Sequence, residues 1–385
     1  MLELTTEYHA HLTAIRRDLH QHPELGFTEQ RSSDLIAREL SAAGIEVTRG
    51  IGGTGLVGLI HGRAGTSDRM IGLRADMDAL PITEATGLPY QSRSPGIMHA
   101  CGHDGHMAML LGAGLALAQT RDFAGTVALI FQPAEEGLGG ARAMLADGLF
   151  SRFACDEIYG MHNSPYDPPG VVGIWEGISH AGADFFDITI SGQGAHAAMP
   201  QTGIDPIVVA ASVVQALQSI VSRNTDALAS LVLSVTKLEA GAAYNVIPEL
   251  AVISGTLRYL DPDLREMAHH RMTALAQNIA AGFGARAEVE IRGVFDVVVN
   301  DKGCALALSA AAQSLVGTEQ VTHHSRPIMG SEDFGDMLRA VPGAFCTLGH
   351  AGTVPLHNPL FDFDDASLPL GAALYAQIAQ DRLRV

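Results

Sequence analysis

The sequence predicts an α/β protein interrupted by an inserted α+β domain. Three observations carry this reading: short all-apolar runs that end in polar residues, amphipathic helical stretches between them, and a change of rhythm from Ala183 onward to the order β-α-β-β-α-β. At 385 residues the chain is longer than one core of the usual size supports. The change of rhythm places the first part of the main domain at residues 1–182, the insertion at 183–293 and the return to the main domain at 294–385.

Taken in order, Tyr8, Leu12, Ile15 and Leu19 recur at helical spacing, and Leu35, Ile36, Ala37 and Leu40 repeat the pattern after the break Pro23-Glu24-Leu25-Gly26, with Gly44 ending the second helix. The apolar runs Gly55 to Ile60 and Met70 to Leu73 read as buried strands, the second leading into Asp76-Met77-Asp78. A helix from about Gly105 to Gln119 precedes a strand Gly125 to Phe131 that stops at the pair Glu135-Glu136, and the strand Asp156 to Gly160 stops at Met161-His162-Asn163. In the insertion, strands are expected at Asp184–Ile190, Ala229–Leu238, Leu250–Tyr259 and Ala285–Ile291, and helices at Asp205–Ser222 and Asp261–Ala281. This is the ferredoxin-like order. The main domain resumes with a helix Gly303–Leu315, the turn Gly330-Ser331-Glu332-Asp333-Phe334, a strand Ala344–Leu348, the loop around His357 and a last helix from about Asp365.

Composition narrows the partners. Hydrophobic residues make up 47% of the chain and charged residues 17%, enough apolar material for ample core. The net charge of -18, with no Lys/Arg-rich run, argues against nucleic acid or an anionic membrane surface. The most apolar window, Met107 to Ala118, is too short to span a bilayer and suits a core helix. No secretory signal is visible at the N-terminus, and Cys155, Cys304 and Cys346 lie far apart without CxxC partners, so a cytoplasmic protein with free thiols is expected.

The densest chemistry is His99-Ala-Cys101-Gly-His103-Asp-Gly-His106, three imidazoles, a thiol and a carboxylate in eight positions. Borderline-soft divalent metals accept thiolate and neutral imidazole. In an extended loop residues i and i+2 project to the same side, so Cys101 and His103 are expected to face one ion or one pair of ions. Standing alone, the stretch could equally be a surface His cluster with a chance Cys, the glutamate pair a solvated turn, and His162 a structural histidine. Three successive strand ends carrying such groups make coincidence less attractive, because ligands in α/β sheets collect at the carboxyl ends of strands. Cys101, His103, Glu135, Glu136, His162 and His357 would suffice for a hydrolase with one or two metals, with one glutamate facing the metal and the other the water.

Several motifs together resemble the metal-dependent amidohydrolases that include hippurate hydrolases, N-acyl-amino-acid amidohydrolases and indole-acetyl-amino-acid hydrolases, a branch of the aminoacylase/carboxypeptidase clan. They are Arg74-Ala-Asp-Met-Asp-Ala-Leu-Pro81, Met98-His-Ala-Cys-Gly-His-Asp-Gly-His106, Gln132-Pro-Ala-Glu-Glu-Gly137, Gly160-Met-His162, Gly194-Ala-His-Ala-Ala-Met-Pro200, Tyr244-Asn-Val-Ile-Pro-Glu249, Gly255-Thr-Leu-Arg258 and Gly330-Ser-Glu-Asp-Phe334. The resemblance covers nearly the whole chain and implies a metallopeptidase-type α/β catalytic domain with an inserted ferredoxin-like lid. It implies Cys101, His103, Glu136, His162 and His357 as metal ligands, Glu135 as general acid/base, and a cofactor of one or two divalent ions (Zn, Mn, Co or Ni). It also implies that His196 donates to the carbonyl oxyanion while Asn245 and Arg258 hold a free carboxylate. The partner is then a small N-acyl amino acid, with a dipeptidase or carboxypeptidase as the alternative and a non-catalytic metal-dependent binding protein as a weaker one, since Glu135 is present. In the clan such a His reaches the site of a second subunit, so a homodimer through the insertion is implied. Where many relatives carry His-x-Asp, this chain has Asp76-Met77-Asp78, so one usual imidazole is missing and Cys101 stands as its replacement. Asp78 and His106 are candidates for orienting ligands from behind, and the role of Glu332 does not follow from spacing.

Overall fold

In the computed structural model, which describes residues 1–384, the chain forms two compact units. The first comprises Met1–Ser179, Val298–Pro327 and the residues from Asp333 onward. Its eight-stranded sheet runs, edge to edge, Glu46–Ile51, Gly55–His61, Ala124–Gln132, Gly65–Asp76, Glu157–Ser164, Gly343–Gly349, Val172–Trp175 and Val321–His324. The four strands from Ala124–Gln132 to Gly343–Gly349 are parallel. Their carboxyl ends at Asp76, Gln132, Ser164 and Gly349 therefore share one edge of the sheet.

These central strands are the apolar runs of the sequence, and Ile71, Leu73, Leu129, Ile130, Phe131 and Phe345 have no exposed surface. A strand covered on both faces has no polar side to alternate with. The helix His103–Thr120 is buried nearly all round and packs against Leu368–Arg382. Helix His9–Gln21 turns Leu12, Ile15 and Leu19 inward, and Gln30–Ala42 turns Leu35, Ile36 and Leu40 inward. The latter closes where Gly44 takes a φ of 72° and the Ile45 N–H returns to the Leu40 carbonyl at 3.1 Å.

Three strands of this sheet escape the apolar-run criterion. Glu46–Ile51 carries only two aliphatic side chains and lies at an edge, while Val172–Trp175 and Val321–His324 are four residues each. The strand expected to stop at Gly160 runs on to Ser164. Its pairing with Gly65–Asp76 ends at Gly160, but parallel pairing with Gly343–Gly349 continues to the end, so His162 sits inside a strand opposite Thr347.

The second unit comprises His180–Val297 and Ile328–Glu332. Its antiparallel sheet has the order Leu231–Ala240, Leu250–Tyr259, Gly182–Ser191, Arg286–Phe295, which in chain order is 2-3-1-4, the ferredoxin-like arrangement. Helices Pro206–Ser219 and Pro262–Gly282 each start with Asp-Pro: the Asp205 and Asp261 carboxylates accept the N–H of Ile207 and Asp263, and proline occupies the first turn, where no N–H is needed. Along Leu250–Tyr259, Ala251, Ile253, Leu257 and Tyr259 are buried, which leaves Val252, Ser254, Thr256 and Arg258 on the other face. The segment Pro206–Asn224 is long and apolar enough by composition to cross a membrane, but Val209, Val213, Leu217 and Ile220 are buried in this unit's own core.

Candidate metal centre

The site is assembled in the first unit at the carboxyl edge of the parallel strands. Cys101 does not reach His103 through an extended loop, as the sequence reading expected. Gly102 adopts a φ of 94° and His103 opens the helix that follows. A Cβ on residue 102 would stand 2.3 Å from Asn163 Oδ1, so the turn needs glycine both for its φ and for the close approach. The turn still brings thiol and imidazole together: Cys101, His103 and His162 have donor atoms within 4.8 Å of one another, as do Cys101, Glu136 and His357, and His103, Glu135 and Glu136.

Two of the three imidazoles in the set, His103 and His162, are oriented from behind. His103 Nδ1 donates to the Asp78 carbonyl at 2.9 Å and His162 Nδ1 to the Asn163 carbonyl at 2.7 Å, leaving both Nε2 atoms facing inward. Cys101 Sγ lies 3.3 Å from His162 Nε2, His357 Nε2 lies 3.3 Å from Glu136 Oε1, and His103 Nε2 lies 4.0 Å from the same oxygen. Ligands at ~2.0–2.3 Å from a tetrahedral ion stand roughly 3.3–3.7 Å apart, close to these separations. His103 Nε2 and Glu136 Oε1 are buried without a hydrogen-bond partner, a costly state that a cation between them relieves.

Asp78 serves three of these groups. Its carboxylate oxygens accept the N–H of Glu135 at 2.9 Å and of Glu136 at 3.0 Å, while its carbonyl holds His103. His106 is fully engaged behind the set, with Nδ1 2.6 Å from Asp76 Oδ1 and Nε2 2.6 Å from Asn163 Oδ1, so neither nitrogen is open to an ion. His357, with a φ of 62°, anchors its N–H on the Ala100 carbonyl at 2.8 Å. The sequence reading missed the floor beneath. Arg74, wholly buried, donates to Gln132 at 2.8 Å, Asp76 at 2.9 Å and Asp333 at 3.0 Å, and Asp333 also accepts the Ala141 N–H at 2.9 Å. An Arg inside an apolar strand was the available signal, because a buried guanidinium must be paired. Asp76 occupies the position where an imidazole ligand is missing, and its oxygens are taken by Arg74 and His106.

The electrostatics of the donor set call for a cation. Burial opposes a charge on His103, yet Asp76, Asp78 and Glu136 push its pKa up to about 10. Burial raises the Cys101 thiol well above its usual range, and Glu136, Glu135 and Asp76 raise it further. His162 is held well below the usual imidazole range by burial and by His106, in the neutral form a ligand needs.

The residues proposed for substrate lie in the second unit. A two-strand ladder pairs His196 with Val246, and the Ala197 N–H bonds the Asn245 carbonyl at 3.0 Å, which brings His196 and Asn245 side by side, both exposed. Arg258 bonds neither of them. Its guanidinium donates to the Ser331 hydroxyl and makes no ion pair among the described residues.

Residues 72–381 match the model of the peptidase family M20/M25/M40. The chain belongs to that family. It is 40% identical over 370 residues to a hippurate hydrolase of Campylobacter jejuni, covering 96% of each chain. To an N-acetylcysteine deacetylase of Bacillus subtilis it is 40% identical over 374 residues, covering 97% of each. Among solved structures it resembles a dinuclear metal-binding peptidase of the M20 family from Bacillus subtilis with a TM-score of 0.84 and 37% identity, covering 98% of this chain and 99% of that one. This M20 chain therefore carries a thiol, imidazole and carboxylate set whose chemistry suits a divalent ion.

The set makes metal affinity depend on pH in a stated direction. Ligands bind deprotonated, and at neutral pH both His103 and Cys101 hold protons that a metal must displace. For an ion that displaces both protons, Kd weakens by about a hundredfold per pH unit as pH falls from about 8 to 6. Competition with a chelating dye across that range measures it, and a flat affinity would remove His103 and Cys101 from the ligand set.

Proposed function

We propose that this protein hydrolyses the amide bond of N-acyl or N-aroyl amino acids. Cys101, His103, Glu136, His162 and His357 hold one or two divalent ions, and Glu135 acts as general acid/base. The observation that carries the reading is the Glu135-Glu136 pair: its consecutive N–H groups are both fixed on Asp78, both carboxylates stand beside His103, and of the two only Glu136 also joins Cys101 and His357 in a donor group among the described residues. When bound there, a divalent metal would polarise an amide carbonyl and lower the pKa of a water toward neutrality. Glu135 accepts the proton of the attacking water as the C–O bond forms and delivers it to the amine nitrogen as the C–N bond breaks. His196 would donate to the carbonyl oxygen as it gains charge, and Asn245 and Arg258 would hold the free carboxylate. Two ions are supported by two donor groups, Cys101 with His103 and His162 and Cys101 with Glu136 and His357. Zn, Mn, Co and Ni all accept such ligands.

A homodimer through the inserted unit belongs to the same reading. Leu231–Ala240 is an edge strand with Val232 and Leu238 exposed, and Ile207 and Val208 are exposed on the helix Pro206–Ser219. A cytoplasmic location is supported by four buried, unbridged cysteines. The deciding experiment incubates metal-loaded protein with N-acetyl amino acids, N-benzoyl amino acids and dipeptides, and measures amine release. Faster release from the acylated substrates is expected. Preference for dipeptides would favour the carboxypeptidase alternative, and no release from any would leave only a binding protein.

A further inference from the structure

Glu29 precedes the helix Gln30–Ala42, where a carboxylate would ordinarily cap the first turn, yet its side chain makes no cap bond. It is completely buried and points the other way. Oε1 accepts the Ala134 N–H at 2.9 Å and Oε2 accepts the Thr54 hydroxyl at 2.5 Å. Ala134 has a φ of 55°, a left-handed conformation that is strained for a residue with a Cβ and persists only where something holds it. The next two N–H groups, of Glu135 and Glu136, end on Asp78. Three consecutive amides of the glutamate loop are thus held by two buried carboxylates from elsewhere in the chain, and Glu29 holds the strained one.

We propose that Glu29 is a positioning residue for the hydrolysis: by fixing the Ala134 peptide in its left-handed conformation it aims the Glu135 carboxylate. The inference rests on the functional reading above. Without Glu29 the Ala134 N–H is buried and unsatisfied, and the peptide relaxes toward commoner backbone regions. Asp78 still accepts the Glu135 N–H, so the change is a turn of Glu135 about that anchor, which re-aims its carboxylate. Glu136 lies one residue further from the freed peptide and keeps its own bond to Asp78, so metal binding should survive.

The test uses the full-length, metal-loaded protein and three readouts: kcat and KM, metal content, and hydrogen exchange of the segment 132–140. Glu29→Ala is expected to lose about 10–100-fold in kcat, with KM and metal content near the unmodified values and faster exchange confined to that segment. Glu29→Gln should stay within roughly threefold, because its amide oxygen can accept the Ala134 N–H and its amide nitrogen can donate to Thr54. Unmodified kcat in Glu29→Ala, loss in proportion to lost metal, equal damage in Glu29→Gln, or exchange accelerated evenly through the first unit would each overturn the proposal. If Glu29→Ala does not fold, Thr54→Val, which removes only the bond to Oε2, should show the same localised exchange with a smaller loss of kcat. Unchanged exchange and rate there would count equally against it. Absence of amine release in the unmodified protein would instead defeat the hydrolase reading, and the exchange measurement would still report whether Glu29 holds Ala134.

Discussion

Glu135→Gln should abolish most turnover, by about 10²–10⁴-fold in kcat, while the protein keeps its metal. The substitution preserves the size of the side chain and removes its capacity to take and return a proton at neutral pH. It leaves the backbone alone, and the backbone is what fixes the loop, since the N–H groups of residues 134, 135 and 136 end on Glu29 and Asp78. The proposed ligands Cys101, His103, Glu136, His162 and His357 are untouched. Cys101→Ala and His162→Ala should behave in the opposite sense and lower metal content itself, because their facing atoms are 3.3 Å apart inside one donor group. Elemental analysis beside steady-state kinetics separates the two classes. A metal-free Glu135→Gln protein would place Glu135 among the ligands, and one with near-normal kcat would take the proton transfer away from it.

The parts of this site that the sequence revealed are those whose signal is local. An all-apolar strand announces that it is buried, so polar residues at its end, such as Gln132 to Glu136, stand out at once. The change of rhythm from Ala183 onward, which marks the insertion, is equally local. What stayed hidden depends on contacts between distant segments. Arg74 and Asp333 are 259 positions apart, and only folding makes each the counter-charge of the other. His106 was expected only to orient ligands from behind, and the contacts that keep its ring from an ion, Asp76 and Asn163 on its two nitrogens, come from segments 30 and 57 positions away. The convergence of Cys101 and His103 was expected for the wrong geometric reason. A left-handed Gly102 and a helix start achieve what strand alternation was expected to do, and glycine in a turn signals freedom without saying which way the chain uses it. The edge strand Glu46–Ile51 shows the same limit, since one partly solvated face removes the apolar run that identifies a strand.

Arg258→Ala should discriminate between substrates that differ only in a free carboxylate. Arg258 lies on the face of the inserted sheet away from its helices, half-buried, with burial lowering its pKa and no acid paired with it. Its hydrogen bond is to the Ser331 hydroxyl, a neutral group that leaves most of the guanidinium's five donors to other partners. A cation kept partly out of water without a counter-charge is costly in an isolated protein, and a carboxylate arriving with the substrate removes that cost through two charge-assisted hydrogen bonds. For an N-acyl amino acid, loss of this pair should therefore lower kcat/KM by about 1.5–3 kcal/mol, or roughly 10–150-fold. The matching amide has no carboxylate to hold and should lose far less. The measurement is a two-by-two comparison of unmodified and Arg258→Ala protein on the acid and amide forms of one substrate, with thermal unfolding to confirm that both proteins are intact. A loss confined to the acid form would assign Arg258 to the substrate carboxylate. Equal losses on both forms would make its bond to Ser331 the purpose of the residue, and would remove the chief residue-level reason for expecting a free acid in the substrate.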